Sequence, residues 1–145
     1  MTRAEDGIAL LAEVDLLHGL SKSELLKIFM LSREEQVRAG RTLATEGEPG
    51  GNFSVIMAGQ AEVTVGGQTV NKLGPGDYFG EISLIDGEPK SATVTASSDM
   101  TLLSLASFTF SPLLVEHPSI TRKILLEMCA RLRAAEGGAS RPPTG

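Results

Sequence analysis

Glu81 and Lys90 stand at the two ends of a glycine-containing loop within the run Tyr78-Phe79-Gly80-Glu81-Ile82-Ser83-Leu84-Ile85-Asp86-Gly87-Glu88-Pro89-Lys90-Ser91-Ala92-Thr93-Val94. The residue types predict a strand end, one helical turn, a loop and a second strand. A glycine at the mouth of a short helix lets a ligand approach the backbone closely. The unpaired amide groups of a helix start favour a phosphate. Glu81 would then be an acceptor for a sugar hydroxyl beside Lys90 as a cation for a phosphate. A tight loop with two solvated charges is the plainer reading and, on spacing alone, the commoner one, because glycine-rich turns are frequent.

The elements that must position this loop are legible on both sides of it. Val37, Leu43, Phe53, Val55, Ile56, Val63, Val65, Val70 and Leu73 fall in short runs separated by turn residues. Ala61, Val63 and Val65 alternate with Glu62 and Thr64, the period of a half-buried strand. Gly59-Gln60 and Gly66-Gly67 have two-residue hairpin chemistry. Ala92, Val94 and Ala96 alternate with Thr93 and Thr95, and Ser97-Ser98-Asp99 turns the chain into Met100–Leu105. About eight short strands at close spacing between residues 36 and 106 predict an antiparallel β-roll, a jelly-roll-like barrel.

Helices flank this region, so the fold class is α+β. Residues 1–20 predict a short helix and a turn. Ser21-Lys22-Ser23-Glu24 has capping-box spacing, and a helix follows over about 22–31. At the other end Ser111-Pro112 predicts a cap before a proline in the first helical position. A further helix is expected from Pro118, with Ile120, Ile124, Leu125, Met128 and Leu132 on one stripe. Arg122, Lys123, Arg131 and Arg133 lie off its centre and are expected in solvent. Cys129 is expected as a small buried hydrophobe.

The 145 residues suffice for one domain with a real core. The net charge of −5 argues against a nucleic-acid binder. A single cysteine excludes an intramolecular disulfide, which fits a cytoplasmic location. No signal peptide or membrane span is read, because Glu13 and Asp15 interrupt the early apolar stretch. His18 and His117 both fall in the helical flanks, which disfavours a cupin-like metal enzyme. No residue arrangement suggests other catalysis, so the chain is expected not to be an enzyme.

Several pieces occur in the order found in one known family. Leu16-Leu17-His18-Gly19-Leu20-Ser21 precedes an amphipathic helix. Ala39-Gly40-Arg41-Thr42-Leu43, Glu46-Gly47-Glu48-Pro49-Gly50 and Phe53-Ser54-Val55-Ile56-Met57-Ala58-Gly59 follow, and then Gly74-Pro75-Gly76-Asp77-Tyr78-Phe79-Gly80-Glu81. Over roughly residues 14–133 the chain resembles the cyclic nucleotide-binding domain. That domain is shared by catabolite-activator-type regulators, regulatory subunits of cyclic-AMP-dependent kinase and cyclic-nucleotide-gated channels.

The resemblance implies a role for each matching position. Phe79, Gly80, Glu81, Ile82, Ser83, Lys90, Ser91 and Ala92 would form the ligand site. Glu81 would accept from the ribose 2′-hydroxyl, and the Gly80–Ser83 backbone would offer N–H groups to the cyclic phosphate. Lys90 stands where the family carries an arginine on the equatorial phosphate oxygen. Ser91 would reach the phosphate or the base edge, and Ala92 would line the floor. Lysine keeps the charge but lacks the planar fork. One lost charge-assisted hydrogen bond is worth roughly 1.5–3 kcal/mol, about one to two decades of affinity. Met128, Arg131 and Leu132, with Cys129 among them, are the candidate base lid, and core packing or solvent exposure is their alternative role.

The resulting expectation is a regulatory module that binds a cyclic nucleotide, cAMP before cGMP, and needs no cofactor besides that ligand. It would signal by movement of its C-terminal helix to a protein partner or a dimer mate. The phosphate and ribose contacts would tighten the loop and draw Leu84 and Ile85 inward, with a hinge near Ser107–Pro118. A degenerate domain of the same fold, acting only as an interaction module, is the alternative. The expected organisation is one domain over 1–136, with N-terminal helices over 1–34, the β-roll over 35–106, C-terminal helices over 107–136, and a flexible tail over 137–145. Met1 reads as a natural start, the tail as either a true end or a cut. No DNA-binding helix-turn-helix follows the last helix, so a stand-alone form is expected.

Overall fold

The computed structural model describes residues 3–137. Most of the expected tail, residues 138–145, lies outside them. Helix α1 (Arg3–Ala12) is followed by a 3-10 turn over Asp15–Leu17 and by α2 (Lys22–Leu31). The Ser21 hydroxyl accepts from the Glu24 amide at 3.1 Å, and the Glu24 carboxylate accepts from the Ser21 amide at 2.9 Å, so the capping box is complete.

Eight strands follow: β1 (Arg33–Val37), β2 (Thr42–Ala44), β3 (Phe53–Ala58), β4 (Ala61–Val65), β5 (Gln68–Leu73), β6 (Tyr78–Phe79), β7 (Thr93–Ala96) and β8 (Met100–Leu105). The short helix α3 (Glu81–Asp86) lies between β6 and β7, and α4 (Ser107–Glu116) and α5 (Pro118–Glu136) close the chain. The strands form two antiparallel four-stranded sheets, ordered β1-β8-β3-β6 and β2-β7-β4-β5. The α+β class and the β-roll flanked by helices are therefore as expected.

Two cores use opposite faces of the first sheet. Ile56, Met100 and Leu102 turn inward to Val94, Ala96 and Ala61 of the second sheet. Phe53, Val55, Leu103 and Leu105 turn outward to Leu11, Leu25, Phe110, Leu113, Ile120 and Ile124 of the helices. The Phe53 and Phe110 rings stack with centroids 4.5 Å apart. Burial on both faces explains why β3 and β8 read as near-continuous apolar runs. The two hydroxyls buried in these strands, Ser54 and Ser104, hydrogen-bond each other at 3.0 Å.

Two of the turn and cap expectations need correction. Gly66-Gly67 does close a β4–β5 hairpin, with both φ values positive at 58° and 82°. Gly59-Gln60 does not close one. It carries the chain from the first sheet to the second, where β4 pairs with β7. Its glycine has φ 92° because a side chain there would strike the Asp99 carbonyl. Ser111 is not a cap. Helix α4 starts four residues earlier and carries Pro112 in its interior, where burial of Phe110 and Leu113 outweighs the lost backbone bond. Pro118 does open α5.

The apolar stripe of α5 is buried only in part. Ile120 and Ile124 are in the core and Met128 packs against it, but Leu125 and Leu132 are more than half exposed. Leu125 lies one position past buried Ile124 and is turned away from the body, whereas Leu132 lies a turn beyond Met128. Cys129, one position past Met128, is likewise exposed.

Candidate functional site

The site is built where β6 ends. Gly80 caps α3 in the left-handed region, at φ 93° and ψ 1°. Only glycine is free to take that turn here, because a Cβ at Gly80 would run into the Asn52 carbonyl oxygen. The turn places the first residues of α3 along a cleft, with Glu81 buried in its wall. At the other end Gly87, at φ 73°, closes the helix by donating its amide to the Ser83 carbonyl. The chain then returns through Glu88-Pro89-Lys90-Ser91-Ala92 to β7.

The cleft is open to solvent, with about 570 Å³ of empty space that includes its mouth. Phe79, Gly80, Glu81, Ile82, Ser83, Lys90, Ser91 and Ala92, every residue of the expected ligand site, line it. Of the three candidate lid residues only Arg131 reaches it. Met128 is taken up by the helical core, and Leu132 points to solvent. The expectation that Arg131 is solvated is corrected, since its side chain is 23% exposed.

The opposite wall was not anticipated. Ala44, Val63, Asn71, Leu73 and Val94 of the second sheet, with Tyr78, complete the cleft. The alternation of β4 marked Val63 as inward-facing, but nothing in the strand pattern says that this end of the roll stays open.

The electrostatics are uneven. Glu81 is 5% exposed. Burial, the largest influence, pushes its carboxyl above the usual range, opposed by a backbone hydrogen bond and by the Arg131 guanidinium. Arg131 also lies 3.5 Å from the Glu127 carboxylate one turn earlier on α5. Burial raises the Tyr78 hydroxyl to about 12, helped by the charges of Glu81 and Glu127. A buried acceptor, a hydroxyl and a guanidinium thus meet at one end. At the other, the Lys90 ammonium donates to the Pro49 carbonyl at 3.2 Å.

Backbone bonds strap the site to the β2–β3 loop. The Lys90 amide donates to the Glu48 carbonyl at 2.9 Å, and the Gly47 amide donates to the Lys90 carbonyl at 2.9 Å. The Ser83 hydroxyl reaches the Gly50 carbonyl at 3.4 Å. Helix α5 is tied down by Lys123, whose ammonium donates to the carbonyls of Asp15 and, at 3.0 Å, His18. At the α4–α5 junction the His117 Nδ1 lies 3.1 Å from the Glu24 carboxylate. Leu84 packs on the helical core, whereas Ile85 is half exposed. Among the described residues no group of three or more His, Cys, Asp or Glu could hold a metal ion, and no helix is long and apolar enough to cross a membrane.

A family model for the cyclic nucleotide-binding domain matches residues 34–117. The chain belongs to that family. It is 39% identical over 121 residues to a cyclic nucleotide-gated potassium channel of Mesorhizobium japonicum, covering 81% of this chain and 34% of the channel. The chain spans about a third of the length of the curated relatives it matches. Among solved structures, the regulatory domain of Toxoplasma gondii PKA with cAMP superposes with a TM-score of 0.77 at 29% identity, over 88% of this domain and 50% of that chain. The regulatory subunit of a cAMP-independent protein kinase A from Trypanosoma brucei superposes with a TM-score of 0.78 at 22% identity, over 86% of this domain and 45% of that chain. The fold is thus shared by a domain solved with cAMP and by the regulatory subunit of a kinase described as cAMP-independent.

Proposed function

We propose that this domain binds a cyclic nucleotide, cAMP in preference to cGMP, and reports occupancy through α5. The observation that carries this reading is the meeting of Gly80, buried Glu81 and Lys90 in one cleft. A cyclic nucleotide presents a ribose hydroxyl and a phosphate that bears one negative charge. Glu81 is the acceptor for the hydroxyl. The free amides at the start of α3 and the Lys90 ammonium complement the phosphate. Ser91 lies beside the cation, within the same wall.

Signalling follows from Arg131. It is the α5 side chain that reaches the cleft, so ligand contacts at its guanidinium would change the position in which α5 is held. A ligand shifts such an equilibrium only by its difference in affinity for the two states. The moved helix would act on a protein partner or on a second copy, in a cytoplasmic setting and without catalysis by this domain. The alternative, an interaction module that has lost its ligand, draws on the exposed apolar residues Leu125, Leu126 and Leu132 of α5.

Titration calorimetry with cAMP and cGMP separates the two readings. The expected outcome is saturable binding of both, tighter for cAMP. Absence of heat at ligand concentrations near millimolar would falsify the sensor reading and leave the interaction module.

A further inference from the structure

Lys90 has an unusual berth. Its ammonium donates to the Pro49 carbonyl, and its chain end lies flat against Gly51. A Cβ at Gly51 would stand 2.8 Å from the Lys90 Cε and 2.9 Å from its Nζ, closer than atoms pack. Gly51 itself has φ 106°. Among the described residues no carboxylate forms an ion pair with Lys90. The position of the ammonium is therefore set by a neutral carbonyl. An ammonium has three donors. One goes to Pro49, which leaves two for a ligand in the cleft that Lys90 lines.

We propose that Gly51 is a positioning residue for the anion-binding cation: its missing side chain admits the Lys90 ammonium to the Pro49 carbonyl, and this berth holds the charge ready for a phosphate. The inference rests on the reading of the cleft as a cyclic nucleotide site. It adds that the β2–β3 loop belongs to the site although it does not line it. Lysine lacks the planar fork with which arginine fixes its own orientation on a phosphate. Here the loop supplies that orientation from outside, and the entropy of a long flexible side chain is lost before the ligand arrives.

The test is a double-substitution cycle read by titration with cAMP and cGMP. Gly51→Ala should weaken binding about tenfold in the parent, because the new methyl group dislodges the ammonium. In a Lys90→Met background, where the stem remains but the charge is gone, the same change should have no further effect. Equal weakening in both backgrounds, or none in the parent, overturns the role of Gly51. A parent that binds neither nucleotide sinks the reading of the site itself, and this inference with it. Gly51 sits at positive φ, so alanine there is strained and a second measurement guards against a variant that fails to fold. Hydrogen exchange on folded protein then decides. Saturating cAMP should protect the amides of Gly50 and Gly51 in the parent and leave them unprotected in Lys90→Met at equal occupancy. Protection that persists without the ammonium overturns the proposal.

Discussion

Besides the wall supplied by the second sheet, two sides of the cleft are held in different ways. The wall formed by α3 and the returning loop is fixed by backbone: glycines at positive φ at both ends of α3 and a pair of amide bonds between Gly47, Glu48 and Lys90. The wall formed by α5 is fixed by side chains. Ile120 and Ile124 are buried, Lys123 clasps the carbonyls of the N-terminal turn, and beyond Met128 the helix is largely uncovered. Backbone geometry cannot be altered by degrees, whereas side-chain docking can be released and remade. The first wall suits recognition and the second suits a moving part.

Breaking the attachment of α5 should have the largest effect. Ile120 is fully buried, and Ile→Ala substitutions at such sites cost about 2–5 kcal/mol. If α5 docks as a separable unit, Ile120→Ala will raise amide exchange along α5 while the β-roll stays protected. Uniform loss of protection across the molecule would show that the two walls unfold together and would dissolve the contrast.

Removal of the cation comes next. Lys90→Met should weaken cyclic nucleotide binding by about one to two decades, the worth of a charge-assisted hydrogen bond of roughly 1.5–3 kcal/mol. Lys90→Arg should tighten it if the guanidinium can take the same place. Thermal stability should hardly move, because the ammonium has only a neutral carbonyl to lose.

Glu81 should separate function from stability. Its carboxyl is raised in the folded protein, chiefly by burial. Between the unfolded value of 4.5 and the raised folded value, the native state binds more of the proton, so stability falls as pH rises through that window. Above it the full penalty of a buried charge is present. Glu81→Gln should therefore raise the melting temperature of the ligand-free protein at neutral pH and flatten its dependence on pH above 4.5. It should also weaken nucleotide binding about tenfold, by loss of one charged acceptor. A variant that melts lower at neutral pH would show that Glu81 is held mainly by its partners rather than penalised by burial.

Much of the backbone-held wall could be read from residue order, because its conformation is local. Gly80 before Glu81, Gly87 before Pro89 and the Ser21–Glu24 cap each state their own geometry. The side-chain wall could not, because what covers a helix is decided elsewhere in the chain. Leu125 falls beside the apolar stripe as Ile124 does, yet it is turned to solvent while Met128, one turn further on, still packs on the core, and Leu132 lies beyond that contact. Gly59-Gln60 failed for a related reason. A two-residue turn looks the same whether the next strand pairs with the last one or with β7 across the roll. Arg131 had no local signal, since its value lies in the Glu81 carboxyl and the Tyr78 hydroxyl across the cleft.

The smallest effect is also the one that best fixes how far along α5 the cleft extends. Arg131 and Leu132 are neighbours on α5, but Arg131 lines the cleft and Leu132 is 59% exposed. Arg131→Ala should weaken nucleotide binding by several-fold and lower the Glu81 carboxyl's share of compensating charge, so its pH dependence should steepen. Leu132→Ala should leave stability within about 0.5 kcal/mol of the parent and leave affinity unchanged. If Leu132→Ala weakens binding as much as Arg131→Ala, α5 must roll when the ligand enters and bring Leu132 over the base. The helix would then rotate about its axis, rather than swing as a rod from the His117 junction, and the Glu127–Arg131 pair would be what the rotation breaks.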